Sequence, residues 1–336
     1  MTWKVLITDY VWPTIDPERK IIEAAGGEVI VAPDSSEETL ITLAKDADAI
    51  MTCFANVTAN VIKSAKKCVV ISRFGVGVDN ISVSKATELG IPVTNIPDYC
   101  IDEVSDHVLA LLTTWNRKIA LFDKSVKENG WDHLSLSMRI MRLRDKTLGI
   151  VGFGRIGQMV AQKASAFGMK IVATDPVMQE SIMKDLGVYP LPLNELLQSS
   201  DFVTLHAPLI PQTHNLIGEK ELNMMKSDAF IINAARGPLI DEEALYKALK
   251  KGVIAGAGLD VMVDTIPEKT HPLLQLDNIL ITPHIAFFSQ ESTLELEMRT
   301  AQEVVRVLNN SMPENLINPE VLTHPNPRHN IQIPNA

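Results

Sequence analysis

Short apolar runs alternate along this chain with segments whose apolar residues recur every three or four positions. In the first hundred residues the runs fall at 4–8, 28–32, 49–52 and 69–72, and helical spacing falls at 17–25, 37–45 and 59–65. A run without alternation marks a strand buried on both faces, and a helix between two such strands returns the chain for parallel pairing. The rhythm therefore predicts a parallel α/β layer, closed by residues 92–99. Val104, Val108, Leu111, Leu112 and Trp115 then share one helical face, which predicts a long helix carrying the chain onward. A second series predicts six strands at 147–152, 170–174, 202–206, 229–233, 256–260 and 279–282, which suits a doubly wound sheet. Helical spacing returns over 290–308. From Ser311 onward, five Pro and five Asn in 26 residues predict an extended tail packed on the body.

With 336 residues and 46% apolar content, the chain has room for about two ordinary globular domains. A formal charge of −10 and the lack of a long Lys/Arg block argue against nucleic acid or an anionic membrane as partner, and an anionic substrate would need local cations. Residues 1–9 hold too short an apolar stretch for a signal peptide, and no later run approaches the roughly 18 residues a membrane helix needs, so the expected location is cytoplasmic. Cys53, Cys68 and Cys100 are odd in number and lack metal-like spacing. They read as reduced packing thiols, and no local motif supports a nucleophilic one.

Gly152-Phe153-Gly154-Arg155-Ile156-Gly157 follows an apolar run and opens a helical pattern, the context in which such a glycine series has meaning. Two glycines let the backbone turn tightly against a pyrophosphate at the helix N-terminus, and the third allows close helix–strand packing. Arg155 reads either as an added charged contact or as a solvated surface residue. Asp175 ends the second strand of this series, where a carboxylate accepts from the adenosine ribose hydroxyls and repels a 2′-phosphate. With Pro176 and Val177 next, and no Arg or Lys there, the expected cofactor is NAD rather than NADP. The bland reading of Asp175 is a helix cap.

Two further segments end apolar runs, Asn233-Ala234-Ala235-Arg236-Gly237 and Pro283-His284-Ile285-Ala286. The guanidinium fork of Arg236 suits bidentate binding of a carboxylate and polarises an adjacent carbonyl, and Lys would replace it poorly. An imidazole such as that of His284 moves a proton near neutral pH. Together they point to hydride transfer between a nicotinamide and a small anionic 2-oxo or 2-hydroxy acid. Arg73 reads equally as a surface ion pair or as a contact for a second anionic or polar substrate group. Phe287 reads equally as a pocket wall or as core.

Taken in order, Arg73-Phe74-Gly75-Val76-Gly77-Val78-Asp79-Asn80, the helix segment Ser105-Asp106-His107, the glycine series, the Arg236 segment, Gly258-Leu259-Asp260-Val261 and the His284 segment resemble the D-isomer-specific 2-hydroxyacid dehydrogenase family over residues 3 to about 315. The Ser-Asp-His helix and the pair Phe287-Phe288 resemble most its C-terminal-binding-protein-like branch, which includes enzymes and transcriptional corepressors. The resemblance implies two doubly wound α/β domains with the active site in a cleft. One is a flavodoxin-like substrate domain from residues 1–100 and 291–336, the other an inserted Rossmann NAD domain over 101–290. It implies a homodimer formed through the NAD domain. It also implies that Arg236 grips the substrate and His284 is the acid/base, that the amides around Val76 and Gly77 hold the carboxylate, and that Asp260 contacts the nicotinamide carboxamide. His206, Ala207, Pro208, Thr213, Ala234 and Ala235 are the further cofactor contacts it implies.

In one position the chain departs from the family. Members usually carry a Glu five residues after the Asp of Leu-Asp-Val, and it holds the catalytic His; here that position is Thr265. His271-Pro272-Leu273 stands where the family's His-Pro-Leu does, so no gap explains the change. Three readings follow. Asp264 or Glu268 replaces the carboxylate; His284 works without one, held by the Thr265 hydroxyl or by a water; or the chain is a weakly catalytic or non-catalytic NAD(H)-sensing dimer of corepressor type.

Overall fold

The structure is a computed structural model and describes residues 2–131, 139–264 and 267–332. It divides into two compact units, Met1–Tyr99 with Ser289–Ala336, and Cys100–Phe288. In the first unit β1 (Trp3–Ile7), β2 (Gly27–Val31), β3 (Ala49–Thr52), β4 (Val70–Arg73) and β5 (Val93–Thr94) form a parallel sheet in the order β2-β1-β3-β4-β5. Leu6, Ile50, Ile71 and Val93 are register partners in one row across this sheet, and all four are fully buried in the same core. Burying each such side chain contributes about 1.5–3 kcal/mol, which explains why the strands read as unbroken apolar runs. β5 is too short for any periodic signal and falls inside the stretch expected to be mere closure.

The helix Gln290–Leu308 returns the chain to this unit and packs against β3, β4 and the helix Asp16–Ala24. Its start is fixed by the Ser289 hydroxyl, which accepts from Ser292 N–H. The proline-rich tail runs along β5: Asn318 Oδ1 accepts from Val93 N–H at 2.7 Å, and Arg328 donates to the Ala65 carbonyl at 2.7 Å. The tail is not wholly extended. Pro319–Thr323 forms one 3-10 turn, with Pro319 pre-setting the backbone at its first position.

In the second unit β6 (Thr147–Val151), β7 (Lys170–Thr174), β8 (Tyr189–Pro190), β9 (Phe202–Leu205), β10 (Phe230–Asn233), β11 (Gly256–Leu259) and β12 (Ile279–Ile281) form a parallel sheet ordered β12-β11-β10-β9-β6-β7-β8. There are seven strands where the pattern predicts six. The extra one, β8, has two residues, and at the sheet edge the missing N–H of Pro190 costs no ladder bond. The chain enters at β6, builds outward to β8, and then crosses back to β9. Its direction of travel therefore reverses between β6 and β9, the place where open α/β sheets accept ligands at their carboxyl ends. One sheet face buries Val151, Val203, Leu205, Ile231 and Leu259; the other buries Leu148, Ile150, Phe202, Phe230 and Ile232 beneath Val108, Leu111 and Leu112 of the helix Ile101–Arg117. Trp115 of that helix stacks on Phe230 at 4.7 Å. No helix among the described residues is long and apolar enough to cross a membrane.

Candidate functional site

At the end of β6, Gly152 turns with φ +91°, and a Cβ there would lie 2.6 Å from both the His206 carbonyl carbon and the Ala207 nitrogen. The missing side chain is what lets the loop after β9 press against the glycine turn. Gly154 is the opposite case. It is exposed and a Cβ on it would meet nothing within 4 Å, so no protein atom demands a glycine. A bare backbone facing open space at the N-terminus of the helix Arg155–Ser165 fits the close approach of a cofactor pyrophosphate. Arg155 is exposed at the first position of this helix, Ile156 packs on the core, and Gly157 is buried.

The next helix starts at Glu180 with no side-chain cap, so Asp175 caps a turn rather than a helix. Its Oδ1 accepts from the Val177 and Met178 amides at 2.8 and 2.9 Å, a local cap, while Oδ2 accepts from Phe153 N–H of the glycine turn at 2.7 Å. A carboxylate has about four acceptor positions, so one remains for a ribose hydroxyl. Partial burial alone would raise its pKa, but the Phe153, Met178 and Val177 amides outweigh that and hold it below the usual range. The group is therefore an anion at any working pH, repellent to a 2′-phosphate. His206 is neutral, because burial pushes it down to about 4, and its Nε2 lies 3.0 Å from Thr204 Oγ1. Thr213 staples its loop by donating to the Pro208 carbonyl at 2.6 Å and accepting from Ile210 N–H at 2.9 Å.

The two candidate reacting groups of the sequence, Arg236 and His284, follow β10 and β12, with β11 between those strands. Asn233, 1% exposed, ends β10; its side chain donates to the Arg236 carbonyl at 2.8 Å and accepts from Ala235 N–H at 3.1 Å. One amide thus spans the turn Ala234-Ala235-Arg236 and fixes its shape. Arg236 then stands extended, with Nη1 donating to the Ala235 carbonyl at 2.8 Å. Gly237 behind it is obligatory, since a Cβ would lie 2.1 Å from the Met262 carbonyl.

His284 has φ +55°, a left-handed conformation that costs a non-glycine residue about 1–2 kcal/mol. Asp260, at the end of β11 and 1% exposed, holds it there. The Asp260 carbonyl accepts from His284 N–H at 2.8 Å, and its carboxylate accepts from the Ile285 and Ala286 amides, both at 2.9 Å. Thr282 Oγ1 adds a 2.6 Å bond to Oδ1, which leaves one acceptor position on Oδ2. The Phe287 and His284 rings stand nearly perpendicular, with centroids 6.4 Å apart. Asp264 and Glu268 are exposed, and the Glu268 carboxylate accepts from the Thr270 hydroxyl. Thr265 lies outside the described residues.

In the other unit Arg73 closes β4. It is 8% exposed, and among the described residues its Nε has no hydrogen-bond partner and its guanidinium no ion pair. The surface-pair reading therefore fails, because the side chain is buried over Gly75, with Nη1 only 1.2 Å from where a Cβ on that glycine would stand. Among the described residues the Val76 and Gly77 amides donate to no protein acceptor, while the Val76 carbonyl accepts from Asn95 Nδ2 at 2.6 Å. Cys53, Cys68 and Cys100 are buried thiols outside any disulfide among the described residues, and burial pushes the first two up to about 12. Asn233 and Thr282 carry structural duties that the sequence reading did not assign. Their signal was available, since each is a polar residue ending an apolar run.

Comparison with known proteins agrees with this geometry. Residues 109–286 match the family described as D-isomer specific 2-hydroxyacid dehydrogenase, NAD binding domain. The chain is 41% identical over 317 residues to D-3-phosphoglycerate dehydrogenase of Methanocaldococcus jannaschii, covering 94% of this chain but only 59% of that longer protein. It is 39% identical over 290 residues to glyoxylate reductase of Korarchaeum cryptofilum, covering 85% of this chain and 87% of that one. Among solved structures, D-lactate dehydrogenase from Aquifex aeolicus complexed with NAD and lactic acid superposes with a TM-score of 0.85 at 27% identity, covering 94% and 99% of the two chains.

Proposed function

Because this chain belongs to the D-isomer specific 2-hydroxyacid dehydrogenase family, we propose that it interconverts a small 2-oxo acid and its D-2-hydroxy acid with NAD(H) as cofactor. One observation carries the reading. A bidentate cation and an imidazole, Arg236 and His284, follow strands of the same sheet that carries the glycine turn and Asp175, and each stands on a loop braced by a buried side chain. The nicotinamide, when bound, supplies or accepts the hydride. Arg236 holds the substrate carboxylate with parallel N–H donors and draws charge toward the adjacent carbonyl oxygen. His284 gives a proton to that oxygen in reduction and removes it in oxidation. Phe287 shields the histidine edge, and Asp260 offers its remaining acceptor position to the carboxamide.

Within the Met1–Tyr99 unit, the buried Arg73 and the Val76 and Gly77 amides are further candidate groups for an anionic or polar ligand. Glyoxylate, lactate and phosphoglycerate appear in the names of its relatives, and they define the panel of acids to try. We also propose a homodimer through the Cys100–Phe288 unit. The helix Ile119–Asn129 buries none of its own residues, and Ile119, Leu121 and Trp131 are 54%, 43% and 89% exposed, an apolar surface suited to a second copy. The test is NADH oxidation with glyoxylate, pyruvate and a phosphorylated 2-oxo acid, alongside Arg236→Ala. Turnover of one acid that collapses in the variant is expected. Silence across the panel, or full activity in the variant, would overturn the assignment.

A further inference from the structure

The His284 loop is held by one carboxylate, and that carboxylate is itself held from a distant helix. Thr282 Oγ1 lies 2.6 Å from Asp260 Oδ1 and 2.9 Å from His107 Nε2, and the same Nε2 is 3.5 Å from Oδ1. Proton counting orients this chain. A carboxylate only accepts, so the single hydroxyl proton of Thr282 goes to Asp260. The hydroxyl oxygen must then accept, and the His107 ring must carry its hydrogen on Nε2. His107 therefore donates toward Thr282, and Thr282 toward Asp260, whose Oδ1 also receives the Ile285 amide and whose Oδ2 receives the Ala286 amide.

The consequence concerns aim. His284 sits in a backbone conformation that side chains rarely adopt; its N–H meets the Asp260 carbonyl at 2.8 Å and the Thr282 carbonyl at 3.1 Å, and the next two amides meet the Asp260 carboxylate. Asp260 is 1% exposed, so its carboxylate cannot lean on water for orientation. Donors alone decide how it turns, and the helix Ile101–Arg117 supplies the outermost of them. We propose that His107 is a positioning residue for the reaction, fixing through Thr282 and Asp260 the peptide around His284 and so the direction of its imidazole. The proposal rests on the reading of His284 as the acid/base.

The test uses the full chain, NADH and whichever 2-oxo acid it reduces. His107→Ala removes the donor, and His107→Gln restores an N–H near the Nε2 position. Thr282→Val breaks the chain at its middle in an almost isosteric way and serves even if His107→Ala does not fold; Thr282→Ser keeps the hydroxyl. A misaimed group commonly costs 10²-fold for about 1 Å, so we expect kcat to fall about 10- to 100-fold in His107→Ala and Thr282→Val. The KM for the acid should change little. His107→Gln and Thr282→Ser should recover most of kcat, and the Ala/Val double variant should be no slower than the slower single. Unchanged kcat in Thr282→Val, additive losses in the double variant, or a Gln variant no better than Ala would overturn the proposal. His284→Gln separates the two levels. If it keeps wild-type kcat, the acid/base reading fails; if it is dead while the His107 and Thr282 variants are unimpaired, only the positioning role fails.

Discussion

Two carboxyl groups face low dielectric in the first unit, and they make its stability depend on pH in the less usual direction. Glu18, on the helix Asp16–Ala24, is 0% exposed; its Oε1 accepts from Trp12 Nε1 at 3.0 Å and its Oε2 has no partner among the described residues. Glu297, on the helix Gln290–Leu308, is 5% exposed. Burial pushes Glu18 from 4.5 up to about 6, and burial with the charge of Glu18 pushes Glu297 from 4.5 up to about 7. At 1.36 kcal/mol per unit, ionising Glu297 in the folded state costs about 3 kcal/mol and ionising Glu18 about 2. Because both folded-state values lie above the unfolded ones, the folded chain binds more protons across the window from 4.5 to about 7. Stability is greatest at the acid end of that window and falls as pH rises through it. Glu297→Gln keeps the neutral shape and removes the ionisation. The variant should match wild type near pH 5 and exceed it by up to about 3 kcal/mol near pH 8. Urea denaturation at both pH values measures this, and hydrogen exchange of the Gln290–Leu308 amides assigns the gain to this unit. A difference between variant and wild type that does not grow with pH would refute the reasoning.

Three other outcomes concern the candidate site and the buried thiols. Arg236→Lys keeps the charge but loses the fork, so kcat/KM should fall about 10- to 100-fold, the worth of one or two charged hydrogen bonds; steady-state kinetics showing no loss would mean another group binds the carboxylate. Thr265→Glu restores the carboxylate usual in the family, which commonly raises a neighbouring imidazole by about one to three units. The acid limb of hydroxy-acid oxidation and the alkaline limb of oxo-acid reduction should both move to higher pH, and superimposable profiles would remove the idea. Cys53 and Cys68, with thiols held near 12, should resist thiol reagents in the native protein at pH 8 and react only after unfolding; rapid native labelling at either residue would contradict their burial.

Both parallel layers were legible because their strands are buried on both faces, and burial writes itself as unbroken apolar runs such as Phe230-Ile231-Ile232. β5 and β8 were not, because two-residue strands leave no period. The glycine turn and the Arg236 and His284 segments were legible as motifs, since backbone approach and ionic chemistry restrict residue type. The bracing was less so. Asn233, Thr282 and His107 act through hydrogen bonds whose partners depend on where β10, β11, β12 and a helix far away in sequence come together, and no local pattern encodes that meeting. Arg73 shows the same limit, because its burial without an ion pair is a tertiary fact.

The place of β12 in its sheet has a cost in durability. It is an edge strand of three half-buried residues, paired only with β11, and the loop that aims His284 begins immediately after it. Edge strands fray at a small fraction of the free energy needed to unfold a domain. Gly152 and Asp175 follow β6 and β7, interior strands paired on both sides and away from that edge. On warming, the protein therefore loses turnover before it loses nucleotide or helix content, and it regains turnover on cooling as long as the interior strands have stayed paired.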